Sequence, residues 1–359
     1  MSKGKVLVGM SGGVDSSVAA YLLKRDGYEV IGVTMEMLPE QDKSNLDDNL
    51  SYCGISAVED AKRVANKLGI EHHVLDFRSE FKSGVIDYFI NEYKAGRTPN
   101  PCVVCNRKIK WEALLEEAHK MGADYVATGH YAKIEKYPQT GRYCVRTAIT
   151  AAKDQTYALY NLTQEQLKST IMPVGDYTKD EVREIAKEID LDISTKPDSQ
   201  DICFVPDGDY AGFIKRYDGT NFKVGNFVDI NGNILGKHKG ILHYTIGQRK
   251  GLGLAMNKHV YVKEIDAEQS RVVICDNEDL FETTIYAKNI NFMSLDKIEG
   301  CISAEAKIRY AHKKAKCKVS FEDDMLICKF DEPQRAITPG QAIVIYDGDY
   351  VLAGGIIEK

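Results

Sequence analysis

Two groups of residues in this 359-residue chain have the types and spacing to do chemistry. The first is GMSGGVDSS, Gly9 to Ser17. Its glycines let the backbone approach a ligand closely, so several amide hydrogens can converge on one anion, and a helix starting there adds about half a positive charge. Such a loop holds phosphates. It lacks the Gly-Lys-Ser/Thr ending of a P-loop kinase or GTPase, so transfer of a terminal phosphate is not indicated. The second group is three cysteines, Cys102 and Cys105 in GRTPNPCVVCN and Cys203 in DSQDICF. The CxxC lies between a proline-containing loop and a helix start, where a thiol is expected to have a lowered pKa and to be a better nucleophile or metal ligand. A structural zinc site would need a fourth ligand, and no second CxxC or His pair supplies it.

These residues must be positioned by regular elements. Lys5 to Met10 reads as a strand and Ser16 to Arg25 as a helix, with Val18, Leu22 and Leu23 on one face and Gly27 as its stop. Tyr28 to Met35 is the next strand. A helix then carries Val58, Ala61, Val64 and Leu68, followed by a strand from His72 to Phe77, helices near Phe81 to Tyr93 and Ile109 to His119, and a strand from Tyr125 to Thr128. This alternation predicts an α/β fold with a parallel sheet, helices on both faces, and ligands at the carboxyl ends of the strands. From about Asn221 the strands shorten. Turn signals at Asn231-Gly232, Asp323-Asp324 and Asp347-Gly348 predict hairpins. We expect a nucleotide-binding and catalytic domain over 1–204, a small central α+β domain over 205–278 and a C-terminal β-barrel over 279–359.

Composition narrows the setting. The hydrophobic share of 43% and charged share of 28% are ordinary for a folded globular protein. No apolar run approaches membrane-spanning length and the start, MSKGKVLVGM, resembles no signal peptide, which predicts a cytoplasmic protein with no membrane partner. Nine cysteines without a secretion signal argue against a disulfide framework. The net charge of -6 excludes indiscriminate coating of nucleic acid. Local basic stretches remain: Leu235 to Val262 holds Lys237, Lys239, Arg249, Lys250 and Lys258 with no Asp or Glu, and Lys307 to Lys318 is also basic. Both could grip phosphates. Trp111 and the many tyrosines read as core.

SGGVDSS resembles the pyrophosphate loop of the PP-loop ATP pyrophosphatases. With GRTPNPCxxCN, DYVATGHYA (Asp124 to Ala132), AKDQTYAL (Ala152 to Leu159), DSQDICF and HYTIGQRKGLG (His243 to Gly253), essentially the whole chain is similar to the tRNA 2-thiouridylases of that superfamily. The resemblance implies a sulfurtransferase that adenylates the carbon-2 oxygen of the wobble uridine in tRNAs for Lys, Glu and Gln, then delivers sulfur. Gly9, Met10, Ser11, Gly12, Gly13, Val14, Asp15 and Ser16 would hold ATP phosphates, Asp15 would lie near Mg2+, and Met35 and Gly129 would line the adenosine site. Asn100, Pro101 and Cys102 would meet the target base. His130, Lys153, Asp154, Gln155, Arg309, Tyr310 and Gln341 would touch tRNA. Cys203 would carry a persulfide loaded by a cysteine desulfurase or sulfur-relay protein, and Cys105 would act as nucleophile. Well-known members have aspartate where this chain has Cys102, so the resemblance also leaves open a 4Fe-4S cluster on Cys102, Cys105 and Cys203. Two other readings compete: a synthetase-type PP-loop enzyme making a different adenylate, and a non-catalytic RNA-binding module with a redox or metal switch.

Overall fold

The computed structural model describes residues 2–38, 55–150, 153–191, 193, 202–220 and 223–358. Its first unit is a parallel sheet in the order β3 (Glu71–Asp76), β2 (Glu29–Glu36), β1 (Lys5–Gly9), β4 (Tyr125–Ala127), β7 (Thr170–Ile171). β1 is flanked by β2 and β4, with Gly9 beside Val33 and Val8 beside Ala127. Val6, Leu7 and Val8 are completely buried, as expected of a strand covered on both faces. One face packs against helix α1 (Val14–Arg25) and the helix Lys179–Glu188 through Val18, Leu22, Leu23, Val182 and Ala186. The other packs against the helical run from Arg78 to Lys94 and that from Pro101 to Lys120 through Phe81, Phe89, Ile109 and Leu114. β2 and β3 are laid down on one side of β1 and β4 and β7 on the other, so a crevice opens at the carboxyl ends of the strands where the order reverses, beside β1 and β4.

The central unit is a helix, Tyr210–Asp218, and a four-stranded sheet in the order β10 (Tyr261–Asp266), β11 (Arg271–Cys275), β8 (Gly225–Val228), β9 (Ile234–His238). The C-terminal unit is a closed six-stranded barrel: β12 (Phe281–Phe292), β15 (Met325–Arg335), β14 (Ala315–Glu322), β13 (Cys301–Lys307), β16 (Ala342–Asp347) and β17 (Tyr350–Ile357), with β17 pairing back onto β12. All three expected turns close hairpins. Asp323 and Asp324 take φ of 50° and 59°, the left-handed pair a two-residue turn needs, and Gly348 takes 55°.

One stretch departs from the expected layout. β5 (Ala132–Lys136) and β6 (Tyr143–Thr147) form an antiparallel hairpin that leaves the parallel sheet and extends the barrel sheet beside β17. The hairpin, Tyr157, Leu159 and Leu162 share one apolar core with the barrel strands. The parallel-sheet and barrel units are therefore fused by burial as well as by chain.

Candidate active site

The loop after β1 is held open by its own backbone. Gly13 caps α1 in an extended conformation without a side-chain hydrogen bond, leaving the first-turn amides for a ligand. Ser16 stabilises the loop internally: its hydroxyl accepts from Ser11 N at 3.1 Å and donates to Gly13 O at 3.2 Å. Ser17 Oγ donates to the same carbonyl at 2.9 Å. Gly12 is left-handed at φ +68°, and a Cβ there would sit 2.4 Å from Ala57 O. Gly129, just past β4, lies against α1 so tightly that a Cβ would be 2.5 Å from Ser16 N. Met35 on β2 brings its methyl within 3.6 Å of the Cβ position of Gly9. The fold thus gathers Gly9 to Ser16, Met35 and Gly129 at the ends of three adjacent strands.

Asp15 has partners that the sequence did not disclose. Its Oδ1 accepts from Tyr131 OH at 2.7 Å and from Lys179 Nζ at 2.6 Å. Lys179 is only 8% exposed. The Thr178–Glu181 capping box marks a helix start there, but no local signal ties it to a loop 164 residues away. Lys179→Met leaves Asp15 without its cation, and we expect a loss of about 1.5–3 kcal/mol, the scale of a charged hydrogen bond. Urea denaturation of the variant and wild type checks this. A single carboxylate fits ATP entering as its Mg2+ complex, since the phosphates and water supply the remaining ligands.

The thiols are positioned by a second element. Asn100 Oδ1 accepts from Cys102 N at 3.1 Å, Pro101 occupies the first helical position, and a five-residue helix runs to Cys105. From Asn106 to Ala113 the helix widens to a π turn before resuming at Leu114. The Asn106 side chain is buried and donates to Ala158 O at 2.9 Å. Trp111 is fully buried in the core, as expected, and donates to Thr170 Oγ1 at 2.7 Å. Cys203 packs on the same apolar cluster as Cys105 and Met35. Its neighbour Phe204 anchors that segment edge-on against Phe81 and Phe89, at centroid distances of 5.7 and 5.3 Å. Ala152 of AKDQTYAL and Asp198 to Asp201 of DSQDICF lie outside the described residues.

The expected lowering of the thiol pKa values is overturned. Burial pushes Cys105 up to about 12 and Cys102 up to about 11, with the charge of Cys203 adding to both. Cys102 exposes surface as a residue, yet enough protein crowds its sulfur for desolvation to dominate. A helix of five residues offers little dipole against that penalty. Lys110 opposes the rise at both sulfurs. Its Nζ donates to Asn106 Oδ1 at 2.9 Å and lies 3.5 Å from His130 Nε2. His130, whose Nδ1 is 2.6 Å from Thr128 Oγ1, is held well below its usual range by burial and by Lys110, so the ring is neutral at pH 7. Cys102, Cys105 and Cys203 lie near enough for their charges to bear on one another. Among the described residues, which include all three cysteines, no three His, Cys, Asp or Glu side chains converge in a way that could hold a metal ion.

The residues assigned to tRNA spread over two units. Asp154 accepts from Thr156 Oγ1 at 2.8 Å, and Gln155 Oε1 accepts from Tyr131 N at 2.9 Å, so both also shape the loop that follows Lys153. Tyr310, 44% exposed, extends from the barrel beside Arg309 and lies near enough to Cys102 for their charges to interact. Lys307 sits over the rings of Tyr157 and Tyr310 at 5.9 and 5.8 Å. Gln341 donates to Thr98 O at 2.8 Å, and Thr98 N donates to Pro339 O at 2.9 Å, so the barrel grips the loop leading to Asn100. Among the described residues no helix is long and apolar enough to cross a membrane.

Three family models match in order: a tRNA methyl transferase HUP domain over residues 4–207, a tRNA methyl transferase PRC-barrel domain over 211–276, and an aminomethyltransferase beta-barrel domain over 282–357. Curated relatives are similar along their full length. A tRNA-specific 2-thiouridylase MnmA of Lachnoclostridium phytofermentans is 57% identical over 99% of both chains. Its counterpart in Clostridioides difficile is 56% identical over 99% of this chain and 98% of its own. That in Acetivibrio thermocellus is 53% identical over the whole of both.

Proposed function

The chain belongs to the tRNA-specific 2-thiouridylase MnmA family, and from that premise we propose that it replaces the carbon-2 oxygen of the wobble uridine of tRNA(Lys), tRNA(Glu) and tRNA(Gln) with sulfur at the expense of ATP. Residues 1–204 bind ATP and carry the chemistry, 279–359 contribute tRNA contacts, and 205–278 link the two. The uridine oxygen attacks the α-phosphorus of ATP held by Gly9 to Ser16, Met35 and Gly129, and pyrophosphate leaves. The terminal sulfur of a Cys203 persulfide, supplied by a cysteine desulfurase or sulfur-relay protein, then attacks carbon 2, and AMP departs with the former carbonyl oxygen. The Cys105 thiolate attacks Cys203 Sγ and breaks the sulfur–sulfur bond. Sulfur stays on the base, a Cys105–Cys203 disulfide forms, and an external thiol reductant resets the pair.

The observation that carries this reading is a shared scaffold. One helical run holds Cys102 and Cys105 at its start and places Leu114 Cδ2 3.6 Å from the Cβ position of Gly9, while Met35, Cys105 and Cys203 pack on one cluster. Adenylation and thiol chemistry are thus served by adjoining parts of one site. The methyl transfer named in the family models requires neither. A synthetase-type adenylating enzyme requires only the loop, and an RNA-binding module with a thiol switch requires no pyrophosphate release.

The test is mass spectrometry of tRNA nucleosides after incubation with ATP, a persulfide donor and either wild type or Cys203→Ala. We expect 2-thiouridine with wild type and none with the variant. Wild type that makes no 2-thiouridine, or that releases pyrophosphate only with a small amino-containing substrate, refutes the assignment.

A further inference from the structure

We propose that Lys307 seats a backbone phosphate of the RNA while the exposed ring of Tyr310 beside it takes the base, so that the two residues clamp one nucleotide next to the helix carrying Cys102 and Cys105. The inference rests on the thiolation reading only in taking tRNA as the substrate, and the family resemblance gives Lys307 no role. Lys307 ends β13 and is 9% exposed, unlike the exposed Lys313, Lys316 and Lys318 of the same basic stretch, which water can solvate. An ammonium carries three N–H donors. Among the described residues those of Lys307 meet no hydrogen-bond acceptor and no carboxylate at ion-pair distance. Its neighbours are two aromatic rings, Tyr157 at 5.9 Å and Tyr310 at 5.8 Å, which offset only part of the hydration the charge loses. Lys179 at the phosphate loop, 8% exposed, shows the contrast, since Asp15 accepts from it at 2.6 Å. A buried cation without an anion of its own is a seat for one.

The surroundings say which anion. Tyr157 is fully buried and its hydroxyl donates to Ala342 O at 2.8 Å, so its ring is fixed. Tyr310 stands edge-on to it, with centroids 6.2 Å apart and planes at 79°, which holds the ammonium in the corner between two rings. The Tyr310 ring is 44% exposed, a surface on which a base can stack. A cation and an open aromatic face side by side match the phosphate and the base of a nucleotide. Asp154 is the acid whose charge reaches Lys307, but its oxygens accept from Thr156 N at 3.3 Å and Thr156 Oγ1 at 2.8 Å and form no ion pair with the lysine. The corner also adjoins the thiols. Val103, Tyr157 and Ala158 share one apolar cluster, Asn106 donates to Ala158 O at 2.9 Å, and Asn161 donates to Val103 O at 3.3 Å. The ring beneath Lys307 and the helix of Cys102 and Cys105 are thus parts of one packed unit, whereas the phosphate loop has a buried lysine of its own.

The test measures binding of an unmodified tRNA(Lys) transcript to the full chain by fluorescence anisotropy, without ATP, at KCl concentrations from about 50 to about 400 mM. Lys307→Met keeps the packing of the stem and removes the charge. It is expected to raise Kd about fivefold or more at about 0.1 M salt and to flatten the plot of log Kd against log salt by about 0.7–0.9, the loss of one phosphate contact. Lys307→Arg should keep the wild-type slope. A Lys307→Met variant with wild-type Kd and slope overturns the proposal. Affinity lost with an unchanged slope means that Lys307 only packs the two rings, and overturns it as well. Lys307→Gln decides the question if thermal denaturation shows that the methionine variant does not fold. Wild type that binds this tRNA but forms no 2-thiouridine would refute the functional reading and leave the Lys307 result standing.

Discussion

Gly129→Ala is expected to reduce tRNA-dependent pyrophosphate release about 100-fold while the C-terminal barrel stays folded. The added methyl would lie 2.5 Å from Ser16 N, 2.6 Å from Asp15 C and 2.9 Å from Ser16 Cα. All three are main-chain atoms of the first turn of α1, so no rotamer change relieves the contact. Either the end of β4 or the phosphate loop must retreat, and overpacking of this kind costs about 1–3 kcal/mol. The kinetic effect is larger than the stability effect because the loop amides must meet phosphate oxygens at hydrogen-bond distance, where a shift of about 1 Å costs about 100-fold. A coupled pyrophosphate assay measures the first quantity and thermal denaturation the second. The argument fails if the variant releases pyrophosphate within about threefold of wild type. Gly12→Ala makes the companion case, with a left-handed φ of +68° and a 2.4 Å approach to Ala57 O. It should lose activity by the same route.

What the sequence disclosed and what it withheld divide along one physical line. Features encoded by neighbours in the chain were legible: β1 and its glycine loop, the alternation that builds the parallel sheet, and the paired aspartates whose φ values of 50° and 59° close a barrel hairpin. Features encoded by partners far along the chain were not. Tyr131 and Lys179 reach Asp15 across 116 and 164 residues. The β5–β6 hairpin reads locally as two short strands, and only its distant partner, Tyr350 at the start of β17, explains where it goes. Gln341 shows the same limit from the other side. The family resemblance assigns it to tRNA, and in the fold its amide clamps Thr98 O, which ties the barrel to the loop bearing Asn100, Pro101 and Cys102. The helix-start argument for acidic thiols failed for a related reason, because burial of the sulfurs is a tertiary effect and outweighs a short helix.

Cys105→Ser is expected to stop 2-thiouridine formation while leaving the first-turnover burst of tRNA-dependent pyrophosphate, one per enzyme, near the wild-type rate. A serine hydroxyl is nearly isosteric with the thiol, so the buried cluster around Phe81, Phe89 and Phe204 keeps its packing. It cannot ionise to a useful nucleophile, so the reaction should halt after sulfur has joined carbon 2 but before the Cys203 sulfur–sulfur bond is cut. The variant should then accumulate a covalent protein–tRNA adduct that an external thiol releases as 2-thiouridine tRNA, visible as a shifted band on a denaturing gel. Cys203→Ala forms no adduct at all. The pH dependence follows from the raised thiol. With Cys105 pushed up to about 12, the protonated form dominates at neutral pH and the thiolate fraction grows about tenfold per pH unit below that value. Single-turnover sulfur delivery by wild type should therefore steepen with pH from about 7 to 9, and adduct release in Cys105→Ser by a fixed concentration of external thiolate should not. Wild-type yields of 2-thiouridine from Cys105→Ser, without added thiol, would remove Cys105 from the mechanism. A flat wild-type pH profile would instead mean that tRNA binding brings positive charge to Cys105 beyond that of Lys110.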